Sequence, residues 1–194
     1  MQKLAVSDLL LLERYSRERP DFRTRVIAHK RDRQVNVGPN TMWLFEDRLT
    51  VQYQVQEMLR TERIFEVEGI IEELAAYNPL IPDGRNWKVT FLIEYPDPEV
   101  RRVQLEKLRG IEDRCWVQVS GYERVFAIAD EDLERENEVK TSAVHFLRFE
   151  MAPAMIAGLK GGAALSVGID HPNYQHQISP AADNVRASLI ADLG

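Results

Sequence analysis

"KVTFLIEYPDPEVRRVQLEKLRG", residues 88–110, decides the fold. It reads as a strand, a proline-marked turn and a helix that ends at Gly110, and "CWVQVSGYERVFAI", 115–128, adds two more strands. "AVHFLRFEMAPAMIAGLKGG" (143–162) and "ALSVGIDHPNYQHQI" (164–178) read the same way. Setting Pro98 against Pro153 places Phe91 on Phe146 and Leu92 on Leu147, and both helices close on glycine, at Gly110 and at Gly161 to Gly162. A βαββ unit repeated twice explains the second half, and the fold class that follows is α+β, a mostly antiparallel sheet with helices on one face.

Ahead of the repeat the chain reads as helical. Ser7 is an N-cap candidate for "DLLLLERYSRE", and Pro20 takes the first helical position of "PDFRTRVIAHK", acid at its start and base at its end. "RQVNV" and "TMWLF" form a small hairpin through "GPN", whose Gly38 and Asn40 suit a turn. Asp47 can cap a helix in which Val51, Val55, Met58 and Leu59 recur at helical spacing, with Gln52, Gln56, Arg60 and Arg63 on another face. A further helix over about 66–76 stops at "YNPLIPDG", 77–84, the best boundary in the chain. The expected layout is a helical region with a short hairpin over 1–80 and the duplicated region over 85–194, packed as one compact domain.

With 194 residues, 44% of them hydrophobic and 29% charged, the chain can bury a sizeable core unaided. Trp43, Trp87 and Trp116 each fall within a strand-like segment and read as core. The lone Cys115 excludes a disulfide framework and any multi-cysteine metal site. "LLLL" at 9–12 lacks the flanks of a signal peptide and the length of a membrane span, which reads as a cytoplasmic protein without membrane contact. Residues 14–33 set eight cations against three carboxylates, a local +5 in a chain of net −6. A solvated face that pairs with the acidic body outweighs a nucleic-acid patch, since no interleaved aromatics or recognised module surround it.

"DHPNY", 170–174, carries more chemistry than a turn requires, and the first copy turns with "SGYE" alone. Asp170, His171, Asn173 and Tyr174 are therefore pocket candidates, with His145 on the strand of the same unit. Imidazole and carboxylate suit both a divalent metal and acid/base work, and His145, His171 and Asp170 are the expected ligands. The spacing matches no metal motif, and a hydrogen-bonded structural turn is the reading to beat. Glu57, Arg60 and Glu62 on the Asp47-capped helix, with Arg148 as an anion clamp, complete the pocket expected between the helices and the sheet. Glu62 falls on the stripe of Val51, Val55 and Met58, where a carboxylate needs a buried partner. "GLKGG" at 158–162 ends a helix instead of opening one, so it reads as a C-cap and not as a phosphate loop.

Taken in order, "ERPDFRTRVIAHKRDRQVNVGPN", "FEDRLTVQYQVQEMLRTERI", "YNPLIP", "VHFLRF" and "DHPNY" resemble a bacterial family known as a domain of unknown function (domain of unknown function 3501). The resemblance runs over nearly the whole chain. It implies a gene neighbourhood with rubrerythrin and an iron–sulfur oxidoreductase of the heterodisulfide-reductase type, hence a place in redox or oxidative-stress metabolism, but it implies no reaction. Two functions follow as expectations. One is a homodimeric accessory or interaction protein, without a cofactor or robust activity of its own, partnered by the iron–sulfur oxidoreductase or rubrerythrin. The other is a metal-dependent enzyme built on the His/carboxylate group around "DHPNY".

Overall fold

A computed structural model of the chain describes residues 2–131, 135 and 140–194. Among the described residues the alternating segments become nine strands: β1 (Gln34–Asn36), β2 (Thr41–Glu46), β3 (Asn86–Ile93), β4 (Cys115–Val119), β5 (Val125–Phe126), β6 (Ile128–Ala129), β7 (Val144–Glu150), β8 (Leu165–His171) and β9 (Tyr174–Ile178). Six helices accompany them: α1 (Leu12–Arg31), α2 (Arg48–Glu62), α3 (Val67–Tyr77), α4 (Pro98–Lys107), α5 (Pro153–Lys160) and α6 (Asp183–Ile190). The fold is α+β, but the strands divide between two antiparallel sheets, in the orders β1-β2-β3-β7-β6 and β5-β4-β8-β9.

The repeat explains this division. Each unit begins in the first sheet, as β3 or β7, crosses through its helix and finishes in the second sheet as a hairpin, β4–β5 or β8–β9. Both helices open on their prolines, and the first strands pair antiparallel with each other, as do the second strands. The hairpin β1–β2 does not stand apart. β2 pairs with β3 from Thr41 to Glu46, across the boundary segment 77–84, and extends the first sheet.

Alternation along β2, β3 and β7 gives that sheet two different faces. Trp43, Phe45, Trp87, Val89, Phe91 and Phe149 point inward, into one core shared with Val117, Val119, Leu165 and Val167 of the second sheet. Trp43 stacks on Phe149 at 5.6 Å between ring centres. The outer face carries Met42, Leu44, Glu46, Lys88, Thr90, Leu92, Phe146 and Arg148 and lies beneath α2 and the end of α3. A smaller cluster of Leu4, Val51, Val55, Leu59, Leu74 and Ile81 unites that helical layer. Asp47 caps α2 as expected, with Oδ1 accepting from the Leu49 and Thr50 amides at 3.0 and 2.9 Å.

Two N-terminal expectations change. Ser7 falls in a 3-10 turn, Val6–Asp8, in which Asp8 Oδ2 accepts from the Ala5 amide at 2.8 Å. The two helices placed on either side of Pro20 form the single 20-residue α1. Proline removes one helical hydrogen bond, yet α2 grips α1 on both sides of it. Tyr15 donates to Glu57 Oε1 at 2.5 Å, and Phe22 lies 5.9 Å from the Tyr53 ring.

Candidate functional site

The "DHPNY" turn joins β8 to β9 and fastens two neighbours. His171 Nε2–H donates to the Arg109 carbonyl at 2.9 Å, while Nδ1 accepts from the Asn173 amide at 3.2 Å. Asn173 Nδ2 donates to the Lys107 carbonyl at 2.7 Å. These bonds take up carbonyls at the C-terminal end of α4, which has no intrahelical donor to offer them. Tyr174 Oη donates to Val37 O at 3.1 Å and accepts from Asn40 N at 3.0 Å, closing on the β1–β2 turn. Asp170 is exposed on the opposite side of β8, with Arg124 Nη1 at 3.5 Å. His171 and Asp170 are consecutive in a strand, so they face apart and do not converge.

His145 lies elsewhere, fully buried on the inward face of β7 and stacked on Phe91 at 5.9 Å. Its Nδ1 meets Asp130 Oδ2 at 2.6 Å. Its Nε2 meets Thr141 Oγ1 at 2.9 Å, the Ser142 carbonyl at 3.1 Å and Glu112 Oε2 at 3.8 Å. Asp130 Oδ1 also accepts from the Phe146 amide at 2.9 Å, and Asp130 itself sits in the left-handed region at φ 49°. Among the described residues, Glu112, Asp130 and His145 form the one group of histidine, cysteine or carboxylate donors close enough to hold an ion, with ligand atoms within 4.8 Å of one another. His171 and Asp170 do not belong to it, because β7 and β8 lie in different sheets.

Glu112, Asp130 and Thr141 carried no signal in the sequence. They come from the turn before β4, the end of β6 and the segment before β7, and only tertiary pairing brings them to His145. Arg148 is three residues from His145 on the same strand and so occupies the outer face. There its guanidinium forms a fork with Glu131, at 2.8 and 2.9 Å, and reaches Glu150 at 2.6 Å. These carboxylates hold the guanidinium well above its ordinary range.

The α2 residues disperse too. Glu57 is gripped by Arg19 at 2.7 Å through both oxygens, which outweighs its partial burial and holds its carboxyl below the usual range. Arg60 and Glu62 are exposed at the end of the helix, so Glu62 needs no buried partner. The apolar stripe is instead Val51, Val55 and Leu59.

The model of a family described as "Protein of unknown function (DUF3501)" matches residues 3–193. The chain belongs to this family. A crystal structure of a novel protein of unknown function from Burkholderia pseudomallei K96243 is 51% identical, covers 100% of both chains and superposes with a TM-score of 0.95. Comparison with curated proteins returned no match.

In this DUF3501 member the chemistry on offer is limited by burial. Cys115 donates weakly to the Ile111 carbonyl at 3.4 Å, and burial, helped by the charges of Glu112 and Asp113, pushes its thiol well up. A protonated, enclosed thiol is a poor nucleophile. Outside the core, α1 is the longest helix, with Tyr15 and Val26 as its buried residues. Arg33, the last cation of the basic segment, turns inward to Asp192, and Arg14 pairs with Glu18 at 2.7 Å. Arg17, Arg23 and Arg31 are exposed, with no ion pair or hydrogen bond among the described residues. No helix among the described residues is long and apolar enough to cross a membrane.

Proposed function

We propose that the chain is an accessory protein that docks an acidic partner through the exposed basic face of α1. The observation that carries this reading is the helix itself, 20 residues long with only two buried and three arginines left to solvent. Tyr15 and Val26, with half-buried Leu12, Phe22 and His29, form one stripe at helical spacing, and Arg17, Arg23 and Arg31 lie off it. Its cations on a chain of net −6 favour an oriented encounter, either with a second copy as a homodimer or with an acidic protein. The iron–sulfur oxidoreductase and rubrerythrin implied by the sequence resemblance are the partners to test, in a redox or oxidative-stress setting. Capture from the native host at low ionic strength should recover one of them, and added salt should release it. The triple variant Arg17→Glu, Arg23→Glu, Arg31→Glu should reduce recovery to background. Recovery of neither protein, together with monomeric sedimentation, would reject the reading.

A second reading, a metal-dependent enzyme, rests on the Glu112, Asp130 and His145 group. Asp130 behind Nδ1 would orient the imidazole, leaving Nε2 with Glu112 and Thr141 to hold a divalent ion. Metal analysis of tag-free protein should then find about one equivalent, lost on His145→Ala and retained on His171→Ala. The His171→Ala protein should lose only about 1–3 kcal/mol in urea unfolding, the value of a broken structural hydrogen bond. Less than about one-tenth equivalent of metal in the unaltered protein removes this reading.

A further inference from the structure

Between the helical layer and the outer face of the first sheet lie two adjoining cavities, of about 500 and 370 Å³, which share Tyr77, Leu80 and Phe146 as walls. The larger is the size of a typical small-molecule site. Met58, Leu80 and Phe146 give it an apolar lining, and Lys88 and Arg148 border it. The two cations are direct cross-strand partners of β3 and β7, an unfavourable placement unless an anion joins them. Glu131 and Glu150 supply anions, but both Glu131 oxygens are engaged by the Arg148 fork and Glu150 turns to Arg148 as well, while Glu73, also in the lining, makes no hydrogen bond or ion pair with Lys88 among the described residues.

Lys88 is left over. Its ammonium lies 4.0 Å from Glu131 Oε2, beyond hydrogen-bonding distance, and no hydrogen bond to it exists among the described residues. Glu46, opposite Lys88 on β2, turns instead to the hydroxyls of Thr50 and Thr90. Burial pulls the Lys88 ammonium below its ordinary range, with the Arg148 charge adding to this and Glu131 opposing it.

We infer that this cavity is a binding site for an amphipathic acid, a molecule with an apolar body and a single anionic head that Lys88 receives. The apolar walls take the body, and the unfilled donors of Lys88 take the head. The inference is independent of docking through α1 and of any metal at His145.

Isothermal titration with dodecanoate and dodecylammonium, both below their micellar concentrations, tests it. A chain of net −6 would by itself favour the cation, so a preference for the carboxylate can only be local. One dodecanoate per chain should bind, at least about ten-fold more tightly than dodecylammonium. Lys88→Met should erase that preference and weaken dodecanoate by about ten-fold, whereas Lys88→Arg should keep it. Met58→Trp leaves Lys88 in place and narrows the cavity from α2, so it should weaken both probes and keep the inference testable should Lys88→Met not fold. Failure of the unaltered protein to bind dodecanoate, equal affinity for both heads, or indifference to Lys88→Met and to Met58→Trp would overturn it.

Discussion

Arg33→Ala is expected to lower stability by about 3–5 kcal/mol at pH 7, read as a shift in the urea midpoint, because it strands a buried charge and several carbonyls together. Arg33 is 1% exposed. It donates to Phe45 O at 2.8 Å and Glu46 O at 3.1 Å on β2, to Ser188 O at 3.4 Å and Oγ at 3.2 Å on α6, and to both carboxylate oxygens of Asp192. One side chain thus joins the end of α1, the end of β2 and the C-terminal helix. Arg33→Lys keeps the charge without the planar fork and should fall between the two.

The same residues give this loss a pH dependence. Burial, only partly offset by Arg33, pushes the Asp192 carboxyl up to about 6 from an ordinary 3.8. The folded chain therefore binds that proton more tightly than the unfolded chain does. Its contribution to stability is complete below the ordinary value and fades as the pH rises through about 6. Asp47 acts in the opposite sense: burial opposes its charge, but Arg33, the Thr50 amide and His29 together hold its carboxyl below 3.8. Its contribution is present above that value and is lost as the pH falls through the lowered one. At pH 5 Asp192 is mostly protonated and depends less on a cation. The difference between the unaltered chain and Arg33→Ala should therefore shrink by about 1 kcal/mol or more between pH 7 and pH 5. An equal loss at both values would mean that Asp192 does not carry the effect.

What could be read in the sequence was local or repeated. The paired prolines Pro98 and Pro153 marked the start of two equivalent helices, Asp47 announced its own cap, and strand period separated Trp43, Trp87 and Trp116 from the surface. What escaped was long-range. Arg33 closes a run of basic residues and differs from them through acceptors on β2 and α6 and through Asp192, which comes 159 positions later. His145 and His171 could be joined on paper because period alone does not say in which sheet a strand lies. The opposite faces of His145 and Arg148, by contrast, follow from a spacing of three, and strand geometry alone would have separated them. Pro20 reads as a helix start until α2 packs against both sides of it, a contact that composition does not reveal.

Gly38→Ala is the second large effect, expected at about 2–5 kcal/mol, and it tests the "DHPNY" turn from its far side. Gly38 has φ +82°, and a Cβ there would lie 2.6 Å from His176 Cδ2 and 2.6 Å from Tyr174 Oη. His176 is exposed and can swing aside, but Tyr174 is buried and cannot move freely. The Tyr174 and His176 rings pack at 4.6 Å, and the tyrosine hydroxyl bridges Val37 and Asn40. Two contributions should therefore add: left-handed strain of about 1–2 kcal/mol and a broken buried bridge of about 1–3 kcal/mol. Gly121 separates them, since its φ is +88° while a Cβ there would meet nothing within 4 Å. Gly121→Ala should cost only the strain, and the excess at Gly38 then measures the closure of Tyr174 and His176 on the β1–β2 turn. Hydrogen exchange should follow, with the Asn40 amide losing protection in Gly38→Ala and keeping it in Gly121→Ala. Equal losses in the two variants, with Asn40 still protected, would show that Tyr174 does not hold the turn.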